Sequence, residues 1–147
     1  MTSRAEAIDL AIAALQRLAD LFSARREQIA REAGLTIPQW RVLEEVATEH
    51  FMPSLFAQRR SVTPAAISKV VRGLLERDLI RTSIARGDRR QRAYELSSAG
   101  RALLDEIRMT RQMAIDEIWV QLPISELREF ARFSALLGDR LESALDR

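Results

Sequence analysis

The sequence predicts a mostly helical fold that contains one small β-hairpin. Over most of the 147 residues, apolar side chains recur every three or four positions, which is the spacing of amphipathic helices. One short stretch departs from that period, because Ile80, Thr82 and Ile84 alternate with Arg81 and Ser83 as in a half-buried strand. The chain also has only 5 Gly and 4 Pro, and the prolines stand near predicted helix ends.

The N-terminal half of the chain predicts four helices. The first covers about residues 3–33 and ends at Gly34, a residue type that readily adopts the left-handed conformation after a helix. The second begins after Thr36, a capping residue, with Pro38 in its first turn. The third is short and has Pro53 near its first position. The fourth has Thr63 as its cap, Pro64 at its first position and a buried stripe of Ile67, Val70, Val71 and Leu74.

The C-terminal half predicts the hairpin and two long helices. Gly87 and Asp88 mark the hairpin turn, after which the chain returns as a second strand through Tyr94 and Leu96. Ser97 is placed to cap the fifth helix, which Pro123 ends; its residues expected to face inward are Leu103, Leu104, Ile107 and Met113. The sixth helix covers about residues 124–144, and its apolar stripe consists of Leu127, Phe130, Leu137, Leu141 and Leu145.

The composition argues against several classes of function. Because the chain has no Cys and a single His, we predict no disulfide, no metal site and no cofactor. The acidic residues show no paired-carboxylate pattern and the glycines form no phosphate-binding loop, so we do not predict an enzyme. No apolar run approaches the roughly 20 residues of a membrane span, and the first residues lack a signal-peptide pattern. We therefore expect a cytoplasmic protein without membrane contact.

Positive charge is concentrated in one segment of the chain. The net charge is only +2, but residues 57–92 contain 10 basic and 3 acidic residues, a balance of +7. The remaining 13 basic and 18 acidic residues give −5. A compact basic segment between acidic flanks indicates a surface that binds a polyanion. Charge alone favours the other interpretation, a solvated charged face, so the position of these residues must distinguish the two.

The order of elements places the basic segment on a DNA-binding architecture. Two short helices joined by the turn "RRSVT" and followed by a two-stranded hairpin form a winged helix-turn-helix. On the fourth helix, small residues permit close approach to base edges, a hydroxyl exchanges hydrogen bonds, and cations reach guanine edges or phosphates. The alternative is an amphipathic helix with a solvated face. The residues that we predict to contact DNA here are Thr63, Pro64, Ala65, Ser68, Lys69 and Arg72.

The hairpin tip carries a second group of candidate DNA contacts. Arg86, Arg89 and Arg90 surround the Gly87-Asp88 turn, where like charges repel unless an anion neutralises them. Arginine at a protruding tip enters a narrow minor groove, where the negative potential is strongest. Asp88 is placed to pair with one guanidinium and to organise the turn, although such an exposed pair contributes at most about 1 kcal/mol. We include Asp88 among the predicted DNA-binding residues for this reason.

Three stretches, "LTIPQWRVLEEV", "TPAAISKVVRGLLERDLI" and "GDRRQRAYELSSAG", together resemble the multiple-antibiotic-resistance repressor (MarR-type) family. The last matches the family's Asp-x-Arg…Leu-(Ser/Thr)-x-x-Gly wing signature through Asp88, Arg90, Leu96, Ser97 and Gly100. The resemblance covers nearly the whole chain, since the flanking helices match the family's layout. It implies a single domain, residues 1–147, with a winged helix-turn-helix region at about 36–100 and dimerisation helices at about 3–33 and 101–147.

The resemblance further implies a homodimeric repressor on a pseudo-palindromic operator in double-stranded DNA. By position, the helix with Ala65, Ser68 and Lys69 would enter the major groove, and Arg90 would reach the minor groove. Trp119, Phe130 and Phe133 would lie in the dimer interface. A small aromatic or lipophilic effector would bind between the dimerisation and DNA-binding regions and release the DNA. The effector-pocket candidates are Trp40, His50, Phe51 and Phe56. The three aromatic residues are also typical of a core, and the histidine is also typical of a helix end or an interface.

Four positions depart from the family pattern. Arg60 stands where the family usually has an apolar residue, and Ser61 stands where a Gly often forms the turn. Arg72 replaces a frequent acidic residue, and Asp78 replaces the Gly that usually precedes the first wing strand. Asp tolerates the left-handed conformation better than most residues do. The two arginines add positive charge near the helix-turn-helix, and Arg60 is also expected to change how the third helix packs.

A second class of function fits the same architecture. A winged helix whose basic face docks an acidic protein partner would show the same charge distribution. The terminal helices distinguish the two hypotheses, because as dimerisation helices they should produce a dimer in solution. A stable monomer would favour the protein-interaction module.

Overall fold

The computed structural model describes residues 2–48, 50–84 and 92–147, with only the backbone described for Ile84 and Arg92. These residues form six helices and two strands in two compact units, the first reaching residue 108 and the second covering Met109–Arg147. The elements are α1 (Arg4–Glu32), α2 (Ile37–Val46), α3 (Pro53–Arg59), α4 (Pro64–Glu76), β1 (Ile80–Ile84), β2 (Arg92–Leu96), α5 (Ser98–Trp119) and α6 (Ile124–Leu145). The predicted fold class, mostly helical with one hairpin, is confirmed.

The helix ends follow from local hydrogen bonding that the sequence indicates. At the start of α2, the Thr36 hydroxyl accepts a hydrogen bond from the Gln39 amide, and the Gln39 side chain accepts one from the Thr36 amide. The same capping box opens α1 at Ser3 and Glu6. Gly34, with φ 70°, separates α1 from α2 in the left-handed conformation expected there. These caps satisfy amide groups that have no partner within the helix.

The core of the first unit lies among α2, α4, β1 and the first turns of α5. Its largest fully buried side chains are apolar and come from all four elements. Their burial stabilises the packing of the short helices against the hairpin. Val70, which was predicted to be part of the buried stripe of α4, is only half-buried. The fully buried side chains are Val42, Leu43, Val46, Leu74, Ile80, Leu104 and Ile107.

The hairpin is joined to the start of α5 by a cluster of backbone contacts. The strands pair antiparallel, with Ile80 opposite Leu96 at the base. The hydroxyl of Ser97, which is 2% exposed, donates to the Asp78 carbonyl at 2.5 Å and accepts from the Gly100 amide at 3.0 Å. The Ser97 amide donates to the Leu79 carbonyl at 3.1 Å. We call these four residues, Asp78, Leu79, Ser97 and Gly100, the hairpin clasp.

Two of the departures from the family pattern adopt positive φ values. Ser61 has φ 53° in the turn after α3, and Asp78 has φ 54° between α4 and β1. The backbone therefore keeps the left-handed conformation at positions where the family usually has Gly. For side chains with a Cβ atom, this conformation costs about 1–2 kcal/mol. Ser61 and Asp78 adopt it nevertheless, so the surrounding turns set the positive φ at these positions.

The long helices leave much apolar surface exposed. Phe22 and Leu15 are exposed on α1, as are Phe130 and Leu141 on α6. Met113 was predicted to face inward, and that prediction is wrong, because its side chain is 69% exposed. The buried face of α5 passes through Leu104, Ile107 and Ala114, and successive helical residues point about 100° apart. Met113 therefore lies to one side of that face.

We expect Gly100→Ala to destabilise the protein strongly. A Cβ atom on Gly100 would lie 1.9 Å from the Leu79 carbonyl oxygen, so the backbone of the clasp would have to move. The loss of unfolding free energy should be about 3 kcal/mol, measured by chemical denaturation at a fixed protein concentration.

Gly73→Ala, inside α4, is the matched control for that substitution. There the added Cβ would meet only the side-chain amide nitrogen Nε2 of Gln39, at an ordinary van der Waals distance of 3.5 Å. Replacing a mid-helix Gly by Ala should raise stability by about 0.5–1 kcal/mol. Equal stability of the two variants would contradict the close approach at the clasp.

Candidate nucleic-acid interface

The helix-turn-helix is formed by α3, α4 and the tight turn between them. The Val62 amide donates to the Ala57 carbonyl at 3.1 Å and the Ser61 amide to the Gln58 carbonyl at 3.3 Å, which closes the end of α3. Thr63 then caps α4, because its hydroxyl accepts from the Ala66 amide at 3.1 Å. Pro64 occupies the first turn, as predicted. The N-terminus of α4 is thus fixed and carries a positive helix-dipole end.

Helix α4 has one buried face and one exposed face. Ile67, Val71 and Leu74 are buried against the rest of the first unit. Every residue predicted to contact DNA from this helix is exposed, and the structure brings them together on its outer surface. Those residues are Thr63, Pro64, Ala65, Ser68, Lys69 and Arg72.

The base of the hairpin is described, whereas its tip is not. Thr82 pairs with Tyr94 and Ser83 with Ala93, so the strands that support the wing have a fixed register. Near the base, Arg81 and Asp78 approach each other at 3.8 Å as an exposed ion pair. The predicted wing contacts lie outside the described residues, and these are Arg86, Asp88, Arg89 and Arg90.

The helix-turn-helix also carries Arg60, which was absent from the predicted contacts. The Arg60 guanidinium lies over the Phe56 ring, 5.5 Å from its centroid, in a cation–π arrangement. Phe56 meets Phe51 edge-on, and Phe51 meets Tyr94 of β2 in the same way, both with centroids 5.6 Å apart. The sequence signal for Arg60 was its charge at a usually apolar position, but only the fold shows which ring it covers.

The effector-pocket candidates fall into three environments. Phe51 and Phe56 are buried together, and His50 is exposed. Trp40 is also buried, and its indole N–H donates to the Glu44 carboxylate at 3.3 Å. The structure therefore brings two of the four candidates into contact as packed side chains.

Glu44 also connects α2 to α5. Its carboxylate accepts a hydrogen bond from the Arg108 guanidinium at 2.7 Å. This hydrogen bond raises the pKa of the Arg108 guanidinium above its ordinary value, with the Glu44 charge adding to the effect. Sequence reasoning missed this pair because its members are 64 residues apart.

In the described part of the chain, no three His, Asp or Glu side chains come together as metal ligands. No helical segment in the same residues has the length and hydrophobicity that a bilayer crossing requires.

The fold and the exposed basic face of α4 define a winged-helix protein. A sequence model of the MarR family matches residues 33–91, which include the whole of α2, α3, α4 and β1. Over these residues the chain matches the MarR family of winged-helix, DNA-binding transcription regulators, which is the family whose resemblance the sequence indicated. This family is non-enzymatic, so the prediction that the chain is not an enzyme is confirmed. No curated protein sequence matches the chain significantly.

Solved structures share the fold beyond the residues that the family model matches. A MarR family transcription regulator with 18% sequence identity aligns with a TM-score of 0.85 over 100% of this chain and 98% of that one. A MarR from Staphylococcus aureus in complex with salicylate and kanamycin has 17% identity and a TM-score of 0.74 over 92% of each chain. A MepR variant from S. aureus bound to an oligodeoxyribonucleotide has 18% identity and a TM-score of 0.63, covering 89% of this chain and 95% of that one.

Proposed function

We propose that the chain is a homodimeric repressor that binds a specific pseudo-palindromic operator in double-stranded DNA. The observation that carries this proposal is the outer face of α4, where a capped N-terminus, small side chains and two cations are exposed together. The DNA-bound MepR variant, which has the same fold, supports DNA as the polyanion. We propose that the protein works in the cytoplasm, where its operator is accessible.

In this proposal α4 reads base edges in the major groove. Ala65 and Ser68 leave room for the helix to approach the bases, and the Ser68 hydroxyl exchanges hydrogen bonds with them. Lys69 reaches a guanine edge, and Arg72, one helical turn further on, reaches a phosphate. The N-terminus of α4, held by Thr63 and Pro64, binds another phosphate through its free amides.

The hairpin supplies the second contact in the proposed complex. Arg90 inserts into the minor groove, steadied by Asp88, while Arg86 and Arg89 neutralise the flanking phosphates. The paired strands below the tip support this arrangement, since they hold the wing next to the end of α4. Two such units at a spacing of about one helical turn would match a two-fold symmetric operator.

The exposed apolar stripes of α1 and α6 support the proposed dimer. A monomer would leave these large apolar side chains in water, and contiguous exposure on that scale marks an interaction surface. We propose that the second copy of the chain covers them and that Trp119 also lies in this interface. The exposed residues include Ile8, Ile12, Leu15, Leu18 and Phe22 on α1 and Phe130, Phe133 and Leu141 on α6.

We further propose that a small aromatic or lipophilic effector relieves repression. Salicylate in the structurally similar S. aureus MarR supports an aromatic carboxylate as the ligand class. Trp40, His50, Phe51 and Phe56 remain the proposed pocket residues. Because three of them are buried against other residues, the effector would have to move these side chains as it binds.

Selection of bound duplexes from a random pool should yield a pseudo-palindromic sequence, with half-sites about one helical turn apart.

Lys69→Gln should weaken binding to that duplex by about 1–3 kcal/mol, because it removes a base or phosphate contact. The affinity of the unmodified protein should fall with salt at a slope of about −0.9 per neutralised phosphate. Fluorescence anisotropy with a labelled duplex measures both quantities.

Arg128→Gln, which removes one positive charge from an exposed position on α6, is the control for Lys69→Gln. It should bind the selected duplex as the unmodified protein does. If neither the selected nor any random duplex is bound at low salt, the proposal that this chain binds DNA is wrong.

The protein should be a dimer in solution, with a mass about twice the 16.7 kDa of the chain. Leu15→Glu should shift it toward the monomer, because a carboxylate on the apolar stripe of α1 would be desolvated at the interface. Gln16→Glu places the same charge on a neighbouring polar position of α1 and should leave the dimer intact. Light scattering after size-exclusion chromatography gives the masses, and a monomeric unmodified protein would support the protein-interaction hypothesis.

Aromatic carboxylates such as salicylate should release the selected duplex in a concentration-dependent way, measured as a fall in anisotropy. Trp40→Phe should change the concentration that gives half-release, whereas Trp119→Phe should not. Constant anisotropy across a panel of such acids, while salt still releases the DNA, would contradict effector control and leave DNA binding unaffected.

A further inference from the structure

We propose that Arg60 is a pre-oriented anchor for a DNA phosphate, fixed by its position over the Phe56 ring. The inference rests on the proposed DNA binding, and it assigns a role to a residue outside the predicted contacts. The guanidinium is exposed and lies 5.5 Å from the ring centroid. Among the described residues, no carboxylate lies within ion-pair distance of Arg60.

Arg60 lies in the short turn that leads from α3 to the N-terminus of α4. It directly follows α3 as the C-terminal cap, and its amide donates to the Phe56 carbonyl at 3.1 Å. The Thr63 cap follows it by three positions, so the two Cα atoms are at most about 11 Å apart. The N-terminus of α4 favours a phosphate, and successive phosphates on one strand advance only about 3.4 Å along the duplex axis. A cation here therefore meets the same stretch of backbone as the helix end.

The ring under Arg60 is held in place by two further rings. Phe56 is 6% exposed and packs edge-on against Phe51. Phe51 packs in turn against Tyr94 of β2, so the aromatic cluster connects the end of α3 to the hairpin. Because the supporting ring is buried and packed, Arg60 should lose less conformational freedom on binding a phosphate than an unsupported side chain would.

The contact with Phe56 leaves the hydrogen-bonding edge of the guanidinium available. Its N–H donors lie in the plane of the group, and none of them has a hydrogen-bond partner among the described residues. A phosphate is bound through two parallel N–H···O bonds along that edge. The cation–π contact and the phosphate contact therefore do not compete. Lysine has no planar group and would not combine the two in this way.

Arg59 is the natural comparison for Arg60. It is the preceding residue, carries the same charge and is also exposed, at the last position of α3. The structure describes no ring contact for Arg59. If pre-orientation matters, removing the charge of Arg60 must cost more than removing that of Arg59.

The test compares Arg60→Gln with Arg59→Gln, each measured on the selected duplex and on a random duplex over a range of salt concentrations. Arg60→Gln should weaken binding to both duplexes by the same factor, about five-fold, and reduce the salt slope by about 1. Arg59→Gln should have a clearly smaller effect on affinity. Arg60→Lys should keep the salt slope but bind more weakly than the unmodified protein.

Thermal unfolding of each variant shows whether a loss of binding is only a loss of folding. Phe56→Leu tests the role of the ring independently. That variant keeps Arg60 but removes the ring, so its affinity should fall for both duplexes with little change in the salt slope.

An unchanged affinity in Arg60→Gln, while Lys69→Gln still weakens binding, would overturn the anchor and leave the proposed function standing. Equal effects of Arg59→Gln and Arg60→Gln, or a loss restricted to the selected duplex, would also overturn it. Failure of the unmodified protein to bind any duplex would reject the proposed function itself.

Discussion

The hairpin clasp is the constraint on which the rest of the first unit depends. One hydroxyl, that of Ser97, joins the end of α4 to the first turn of α5 by donating to Asp78 and accepting from Gly100. The clasp also brings the Leu79 carbonyl so near to Gly100 that no side chain fits between them. Because β1 begins directly after Leu79, this contact fixes the point at which the first strand of the hairpin leaves the end of α4. The Leu-Ser-x-x-Gly signature thus has a structural explanation in the hydrogen bonds of one serine and the absence of one Cβ atom.

The candidate DNA surface is positioned by apolar packing on the opposite side of the same helix. Ile67, Val71 and Leu74 bury one face of α4, so Ser68, Lys69 and Arg72 must point outward. The outward direction of these side chains is therefore set by the packing of the helix and needs no hydrogen bonds among them. The aromatic contacts of Phe51 extend this support to the hairpin, and through Phe56 they reach Arg60. The residues that we propose to read bases and to bind phosphates accordingly share one packed scaffold, which limits the conformational entropy that binding would have to overcome.

At positions that depart from the family pattern, the backbone conformation is retained and the side-chain chemistry differs. Ser61 and Asp78 hold the left-handed turns that glycine usually provides, and neighbouring hydrogen bonds compensate for the strain. Arg60 stands where the family usually has an apolar residue, yet its guanidinium still contacts the core through the Phe56 ring. These substitutions concentrate charge and conformational strain at both ends of α4, which is the part of the molecule that we propose meets DNA.

The sequence by itself determined the elements and the helix caps, because these depend on local periodicity and on side chains a few residues apart. Thr36, Thr63, Pro64 and Ser97 were predicted in the roles that the structure assigns to them, and the exposed face of α4 followed from helical spacing. Tertiary structure alone decided the contacts between distant residues: Glu44 with Arg108, Asp78 with Ser97, and the ring beneath Arg60. The outward position of Met113 was also beyond local reasoning, since the buried face of α5 depends on what packs against it. Periodicity shows that a helix has an apolar side, whereas only the folded chain shows which part of that side is covered.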